Sequence, residues 1–397
     1  MPQRIINSIK QKSQRYRHYK YNYPPSNNNH FQILSEGNQF FPDMLNAIEN
    51  AQSSICIIQY IFETSLTSNR FIQALLQARD RNVKVHIILD AYGSRGLSIQ
   101  EREKMIDHGI KIYMFNPLKK HHLIKFLYRD HRKLLIIDKT TAFLGGAGIS
   151  DDYNFPSEHI QSWRDLVIKM NGPIVQDCSL IFYKQKYFST NNPATQIESI
   201  NTSNLNLNDK QARLLTSHSW YHNEIQRAII HATKKSANKV WITTPYFVPT
   251  RKLKKHLKLA AYRGCDVRLL LPGTNSDHPW ISQVARQLYS RLLKNKIKIY
   301  EYQPRFTHAK AILCDEWVCI GSSNLDKWNQ KFNLELNIEI QSNQLAQQLN
   351  AFFEQGFKDA KQIDPAIWES RSRQQRIREW FWSKVAMWLE RFIHNMR

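Results

Sequence analysis

Residues Phe71–Leu89 read FIQALLQARDRNVKVHIIL, and residues Leu253–Leu271 read LKKHLKLAAYRGCDVRLLL. In each, apolar residues first recur at helical spacing and then condense into a short apolar run. Each stretch therefore predicts a helix followed by a buried strand. The pattern extends outward in both directions. Upstream, a helix over Phe41–Ala51 precedes the strand Ser54–Phe62 (SICIIQYIF), and a helix over Glu224–Ala237 precedes Lys239–Phe247 (KVWITTPYF). Downstream, Ile110-Lys-Ile-Tyr113 with Pro117 is matched by Ile297-Lys-Ile-Tyr300 with Pro304. Alternating helices and strands imply βαβ units, and repetition of the same order implies a duplicated domain. The expected fold class is α/β, with two mixed, mostly parallel sheets flanked by helices and an active site between the two halves. The expected boundaries are a basic arm over 1–28, a first domain over 29–188, a polar Asn/Thr/Ser-rich linker over 189–209, a second domain over 210–361 and a basic helix over 362–397.

Bulk properties narrow the partners. Lys+Arg number 56 against 33 Asp+Glu, a formal net charge of +23. Such an excess favours a polyanionic partner, nucleic acid or an anionic membrane. The five cysteines form no CxxC pair, and several lie in apolar runs, so they read as reduced core thiols. No apolar stretch is long enough to span a bilayer, so any work on lipids is expected from the membrane surface.

Each half carries one H-x-K-x4-D signature. The first is His131-Arg-Lys133-Leu-Leu-Ile-Ile-Asp138, followed by Gly145-Gly146. The second is His308-Ala-Lys310-Ala-Ile-Leu-Cys-Asp315, followed by Gly321-Ser322-Ser323-Asn324. On an extended chain, residues two apart share a face, so His and Lys stand side by side as a nucleophile within a phosphate cradle. Packing alone has no reason to place the same three residues twice. Asp138 and Asp315 are expected to orient backbone or loop. Downstream, Trp163-Arg-Asp165 and Asn333-Leu-Glu335 each place an acid at the start of an alternating strand. A reacting imidazole needs one nitrogen free and the other held by an acceptor, and Asp165 and Glu335 are the candidates. His121 and His122 lack a Cys or acid at ligand spacing, so neither a metal nor a cofactor is expected.

The paired signatures resemble the phospholipase D superfamily, and Thr243-Thr-Pro-Tyr-Phe-Val-Pro249 together with Gly321-Ser-Ser-Asn-Leu-Asp326 resembles its bacterial cardiolipin synthases. The resemblance implies a two-step transfer. His131 attacks the phosphodiester and forms a phosphohistidine, and His308 serves as acid and then base, although the reverse assignment is equally open to the sequence. Lys133 and Lys310 would neutralise the phosphate oxygens, with Ser322 and Asn324 adding hydrogen bonds. The first half departs from the family pattern, reading Gly145-Gly146-Ala147-Gly148 where polar contacts are usual. The implied substrates are phospholipids, with phosphatidylglycerol or phosphatidylethanolamine as donor. The resemblance leaves open a hydrolytic phospholipase D and a nucleic-acid phosphodiesterase.

Charge distribution favours membrane over nucleic acid. Arg371–Arg397 interleaves Trp380, Phe381, Trp382, Trp388 and Phe392 with arginines, and Ile377, Phe381, Val385, Trp388 and Phe392 share a helical face. A basic amphipathic helix of this kind suits an anionic headgroup layer, or else packs on the domain. The protein is expected at the cytoplasmic face of a bacterial membrane. One chain carries both signatures, so a monomer is expected to hold a complete site.

Overall fold

The computed structural model describes residues 22–117, 127–154, 162–190, 211–218, 223–327 and 329–395. The arm over 1–21, the paired His121 and His122, and the linker after Thr190 lie outside them.

The first half runs β1 (His30–Ser35), α1 (Gly37–Glu49), β2 (Ser54–Gln59), α2 (Leu66–Asp80), β3 (Lys84–Asp90), α3 (Ile99–Asp107), β4 (Lys111–Phe115), β5 (Arg129–Asp130), β6 (Leu134–Ile137), β7 (Thr141–Gly145), β8 (Leu166–Asn171) and α4 (Ile174–Thr190). The second runs β9 (Ala212–His218), α5 (Glu224–Lys235), β10 (Lys239–Thr243), α6 (Arg251–Tyr262), β11 (Asp266–Pro272), α7 (Pro279–Arg286), α8 (Tyr289–Lys294), β12 (Lys298–Tyr302), β13 (Ala311–Cys314), β14 (Trp317–Gly321), α9 (Asn329–Phe332), β15 (Asn333–Gln341), α10 (Asn343–Lys358), β16 (Ala360–Gln362), α11 (Pro365–Glu369) and α12 (Arg373–Asn395). Each helix–strand pair read from the sequence is present at its expected place.

The sheets are mixed, but parallel pairs are the minority. The first sheet is ordered β1-β8-β7-β6-β2-β3-β4, and only β2-β3-β4 run parallel. In the second, β10-β11-β12 run parallel, while β13, β14 and β15 form an antiparallel meander. The expectation of mostly parallel sheets fails because β6–β7 and β13–β14 are hairpins. Chain reversal within a two- or three-residue turn can only give antiparallel neighbours. The second turn is one residue shorter, Asp315-Glu316 against Asp138-Lys139-Thr140, which accounts for the shorter spacing to Gly321.

The halves share one interior. A core cluster joins Ile58, Leu134 and Leu144 of the first sheet to Leu313, Ile320 and Leu336 of the second, with Phe182 of α4 and Phe353 of α10 buried among them. Helices α1 and α2 cover the outer face of the first sheet, and α5 and α6 that of the second. Residues 22–28 are no arm. Tyr23 is 6% exposed, Ser26 pairs with Ala212, and the Asn22 side chain donates to Thr216, so the segment straps the first half to the second. The C-terminal region is not one helix either. It divides into β16, α11 and α12, with Pro365 starting α11.

Candidate active site

His131 and Lys133 lie on the extended lead-in to β6, and His308 and Lys310 on that to β13. Alternation sorts the side chains. Lys133 Nζ turns back to donate to the His131 carbonyl at 2.7 Å, and Lys310 Nζ to the His308 carbonyl at 2.6 Å. Between them, Arg132 points away to Asp130 and Gln185. All four signature side chains are buried, at 3–8% exposure.

The acids cross over. Glu335 accepts from His131 Nδ1 at 2.9 Å, and Asp165 accepts from His308 Nδ1 at 2.7 Å. Each histidine is thus held by the carboxylate of the other half. Backbone pairing enforces this exchange. β5 runs parallel to the start of β15, so the His131 N–H donates to the Leu334 carbonyl at 3.0 Å. Reciprocally, the His308 N–H donates to the Arg164 carbonyl at 2.8 Å. The sequence places each acid downstream of the histidine in its own half, and gives no sign of the swap. Both signatures and both acids come from one chain and meet in one site.

Asp138 and Asp315 stand elsewhere. Each caps the far end of its strand, roughly 17 Å beyond its lysine at ~3.3 Å per residue. Asp138 accepts from the backbone N–H groups of Gln52, Ser53 and Ser54 at 2.7–2.8 Å. Asp315 accepts from those of Ala237, Asn238 and Lys239 at 2.8–3.0 Å. Their place is to fix the entry into β2 and β10, away from the two His–Lys pairs, so they do not join the cluster at the candidate site.

A match to the family described as cardiolipin synthase, PLD-like domain, covers residues 44–171 and again 229–356. The chain belongs to this phospholipase D-like family.

Relatives within it include a cardiolipin synthase of Clostridium perfringens, 32% identical over 88% of this chain and 75% of that protein. A probable cardiolipin synthase of Bacillus subtilis is 29% identical over 88% and 70% of the two chains. Among solved structures, a phosphatidylserine synthase of Haemophilus influenzae superposes with a TM-score of 0.73 at 13% identity, covering 97% of this chain and 98% of that one. At that identity the likeness is one of fold.

The remaining features of this phospholipase D-like site are electrostatic and aromatic. Burial holds Lys133 down to about 7 and Lys310 to about 8, even with the opposing pull of Glu335 and Asp165, and the charge of Lys310 adds to the lowering of Lys133. Burial likewise raises Asp165 to about 7. It lowers His131, and together with the charge of Lys310 it lowers His308 well below the ordinary imidazole range. Two cations facing two carboxylates around neutral imidazoles leave no net charge to repel a phosphodiester, and two ammonium groups to donate to it.

The equivalent residues Ser322 and Gly146 differ in use. The Ser322 hydroxyl donates to Glu335 and accepts from the Leu336 N–H at 3.0 Å, so it buttresses the carboxylate that holds His131. A Cβ at Gly146 would fall 2.6 Å from Asp165 Oδ1, so glycine there makes room for the second carboxylate. Asn324 is 2% exposed, and its amide oxygen is without a partner among the described residues. An unpaired buried amide oxygen costs stability.

The sequence reading missed the rings. Tyr60 meets the His131 ring edge-on at 4.8 Å. Around His308 stand Tyr153 at 5.5 Å, Trp163 at 5.4 Å and Phe306 at 5.9 Å, and the Tyr153 hydroxyl lies 3.3 Å from His308 Nδ1. Tyr60 and Trp163 sit inside quoted stretches; only their position at strand ends could have flagged them. Phe247 is 1% exposed and belongs to the core, whereas Tyr246 donates to Asp277.

Among the described residues, no helix is long and apolar enough to cross a membrane. α12 packs on α7, with Trp382 6.4 Å from Trp280, yet Ile377, Trp380 and Phe381 remain 64%, 53% and 53% exposed. The helix therefore packs on the domain and still leaves apolar side chains exposed. Trp388 and Phe392 have side chains outside the described residues.

Proposed function

We propose that the protein is a cardiolipin synthase that moves a phosphatidyl group from one phospholipid to the hydroxyl of another through a phosphohistidine. The observation that carries this reading is the crossed pair of buried His–carboxylate contacts with a lysine beside each imidazole. A carboxylate on Nδ1 fixes the tautomer and leaves Nε2 as the reacting nitrogen.

His131 Nε2 attacks phosphorus, the bond from phosphorus to the headgroup oxygen breaks, and His308 gives that oxygen its proton. The acceptor hydroxyl then returns a proton to His308 while its oxygen attacks phosphorus and the P–N bond breaks. Lys133 and Lys310 offset the charge on the non-bridging oxygens, the task a metal performs elsewhere. The assignment of His131 as nucleophile and His308 as acid–base group follows the family resemblance. Entry of a phosphate brings negative charge that raises His308 and the lysines, favouring the imidazolium the first step requires. Ser322 acts by holding Glu335, and Asn324 is the direct contact to phosphate or alcohol. Basic α12, with Ile377, Trp380 and Phe381 outward, would rest on an anionic cytoplasmic leaflet.

The test is product analysis by mass spectrometry with liposomes of phosphatidylglycerol, with and without phosphatidylethanolamine, beside His131→Ala. Cardiolipin made by the unaltered protein alone is the expected result, insensitive to EDTA. Phosphatidic acid without cardiolipin would mean a hydrolase. No lipid product at all would overturn the lipid reading.

A further inference from the structure

The duplication gives the strands and helices of one half counterparts in the other, and aligned residues differ in charge at one loop. Strands β3 and β11 align as Lys84 with Asp266, which pairs Arg95 with Asp277 in the loops that follow. Arg95 lies over the Tyr92 ring at 4.6 Å, and Arg129 over the same ring at 5.7 Å, so the first-half loop presents cations. In the second half, Asp277 instead accepts from the Tyr246 hydroxyl, and His278 packs near that ring at 5.8 Å.

The Tyr246 segment lies beside the site. It leaves β10 at Thr243, which pairs with Ala311, the neighbour of Lys310. Val248 then pairs with Asp326, and Leu325 donates to Thr244 at 3.2 Å, so the segment runs alongside Asn324 with its unpartnered buried amide oxygen. The field of Asp277 reaches His308, Lys310 and Tyr153. Anionic substrates gain nothing from a carboxylate at this place. An alcohol does, because a carboxylate and an amide oxygen accept from O–H and N–H donors.

We propose that Asp277, held in place by Tyr246, is the specificity determinant for the alcohol handled by His308, selecting alcohols with a second hydrogen-bond donor on the carbon next to the reacting hydroxyl. Vicinal diols and β-amino alcohols meet this requirement, and simple alkanols do not. The inference rests on the transferase reading above, which supplies the alcohol. Rejecting a ligand that cannot satisfy a paired polar group is a stronger discriminator than fitting its shape.

The experiment is competition between glycerol and 1-propanol as acceptors with phosphatidylglycerol liposomes, reading the two phosphatidyl products by mass spectrometry. The unaltered protein is expected to favour glycerol by roughly tenfold or more, the value of one hydrogen bond to a charged group. Asp277→Ala should bring the ratio close to one, and Tyr246→Phe should lower it part of the way. Asp277→Asn keeps an acceptor oxygen and should retain much of the preference, which separates a binding role from a folding defect. An Asp277→Ala ratio equal to that of the unaltered protein would overturn this inference and leave the transferase reading intact. Transfer to neither alcohol while cardiolipin forms would overturn this inference alone, and absence of cardiolipin as well would overturn both.

Discussion

The two halves share a backbone plan and differ in what surrounds each histidine. His131 has one ring beside it, Tyr60, among the described residues, and its acceptor Glu335 is braced by Ser322. His308 is enclosed by Tyr153, Trp163 and Phe306, and its acceptor Asp165 packs against Gly146 where the first half has no hydroxyl to offer. Positions under backbone control have stayed alike. Asp138 and Asp315 each gather three consecutive N–H groups, and both stand at positive φ, 50° and 51°. Positions facing the substrate have diverged. Two copies of one scaffold thus surround their buried histidines differently, one beside a single ring among the described residues and the other enclosed by three.

Removing the histidines should break this division most severely. His131→Ala and His308→Ala should each lower turnover by about ten-thousandfold or more, as removal of a nucleophile or its proton carrier does elsewhere. Mass spectrometry of the protein after exposure to phosphatidylglycerol should find a phosphatidyl adduct on His131 in the His308→Ala variant. An adduct on His308 in the His131→Ala variant would reverse the assigned roles.

The crossed acids come next. Glu335→Gln and Asp165→Asn should each slow transfer about a hundredfold to ten-thousandfold while the fold persists, the scale seen when an orienting carboxylate is neutralised. Their double variant should lose less than the product of the two if both act on one displacement. Unchanged kinetics in either single variant would remove that acid from the site.

pH should expose the cluster at about tenfold per unit on each limb. As pH rises through about 7 and 8, Lys133 and Lys310 of the empty site lose the charge that receives phosphate. As pH falls through about 7, Asp165 gains a proton and ceases to support an imidazolium on His308. kcat/KM should therefore trace a narrow bell near pH 7 to 8, and its limbs belong to the coupled cluster rather than to single residues. A flat profile from pH 6 to 9 would contradict this electrostatic picture.

The smallest effect should come from exchanging the hydroxyl. Ser322→Gly leaves Glu335 without its buttress and should cost a fewfold in rate, in keeping with one hydrogen bond of about 1 kcal/mol. Gly146→Ser should cost more, because its Cβ falls 2.6 Å from the Asp165 carboxylate. If the two changes had equal effects, the asymmetry of the halves would be incidental.

Much of this was legible in the chain. Helix-then-strand periodicity at Phe71–Leu89 and Leu253–Leu271 marked the layer order, and two His-x-Lys signatures marked side chains that meet at the candidate site, because both patterns are local. What depends on contacts between distant segments was hidden. The partners of His131 and His308 lie 204 and 143 residues away, and no local spacing records which acid serves which histidine. The antiparallel neighbours were hidden because the hairpins after Ile137 and Cys314 carry no glycine-rich turn signal, only Asp138, Lys139 and Asp315 at positive φ. Tyr153 came from a stretch with no motif, and only the folded chain brings it to His308.

The exchange of carboxylates also bears on ancestry. A lone half would present a histidine with no acceptor and an acceptor with no histidine, so it could have been useful only as one member of a twofold pair. Two identical halves facing each other would have supplied both contacts at once. Fusion into a single chain then released each copy from serving both roles, and residues such as Ser322 and Gly146 were free to part ways. The interface must therefore be older than the differences it now separates.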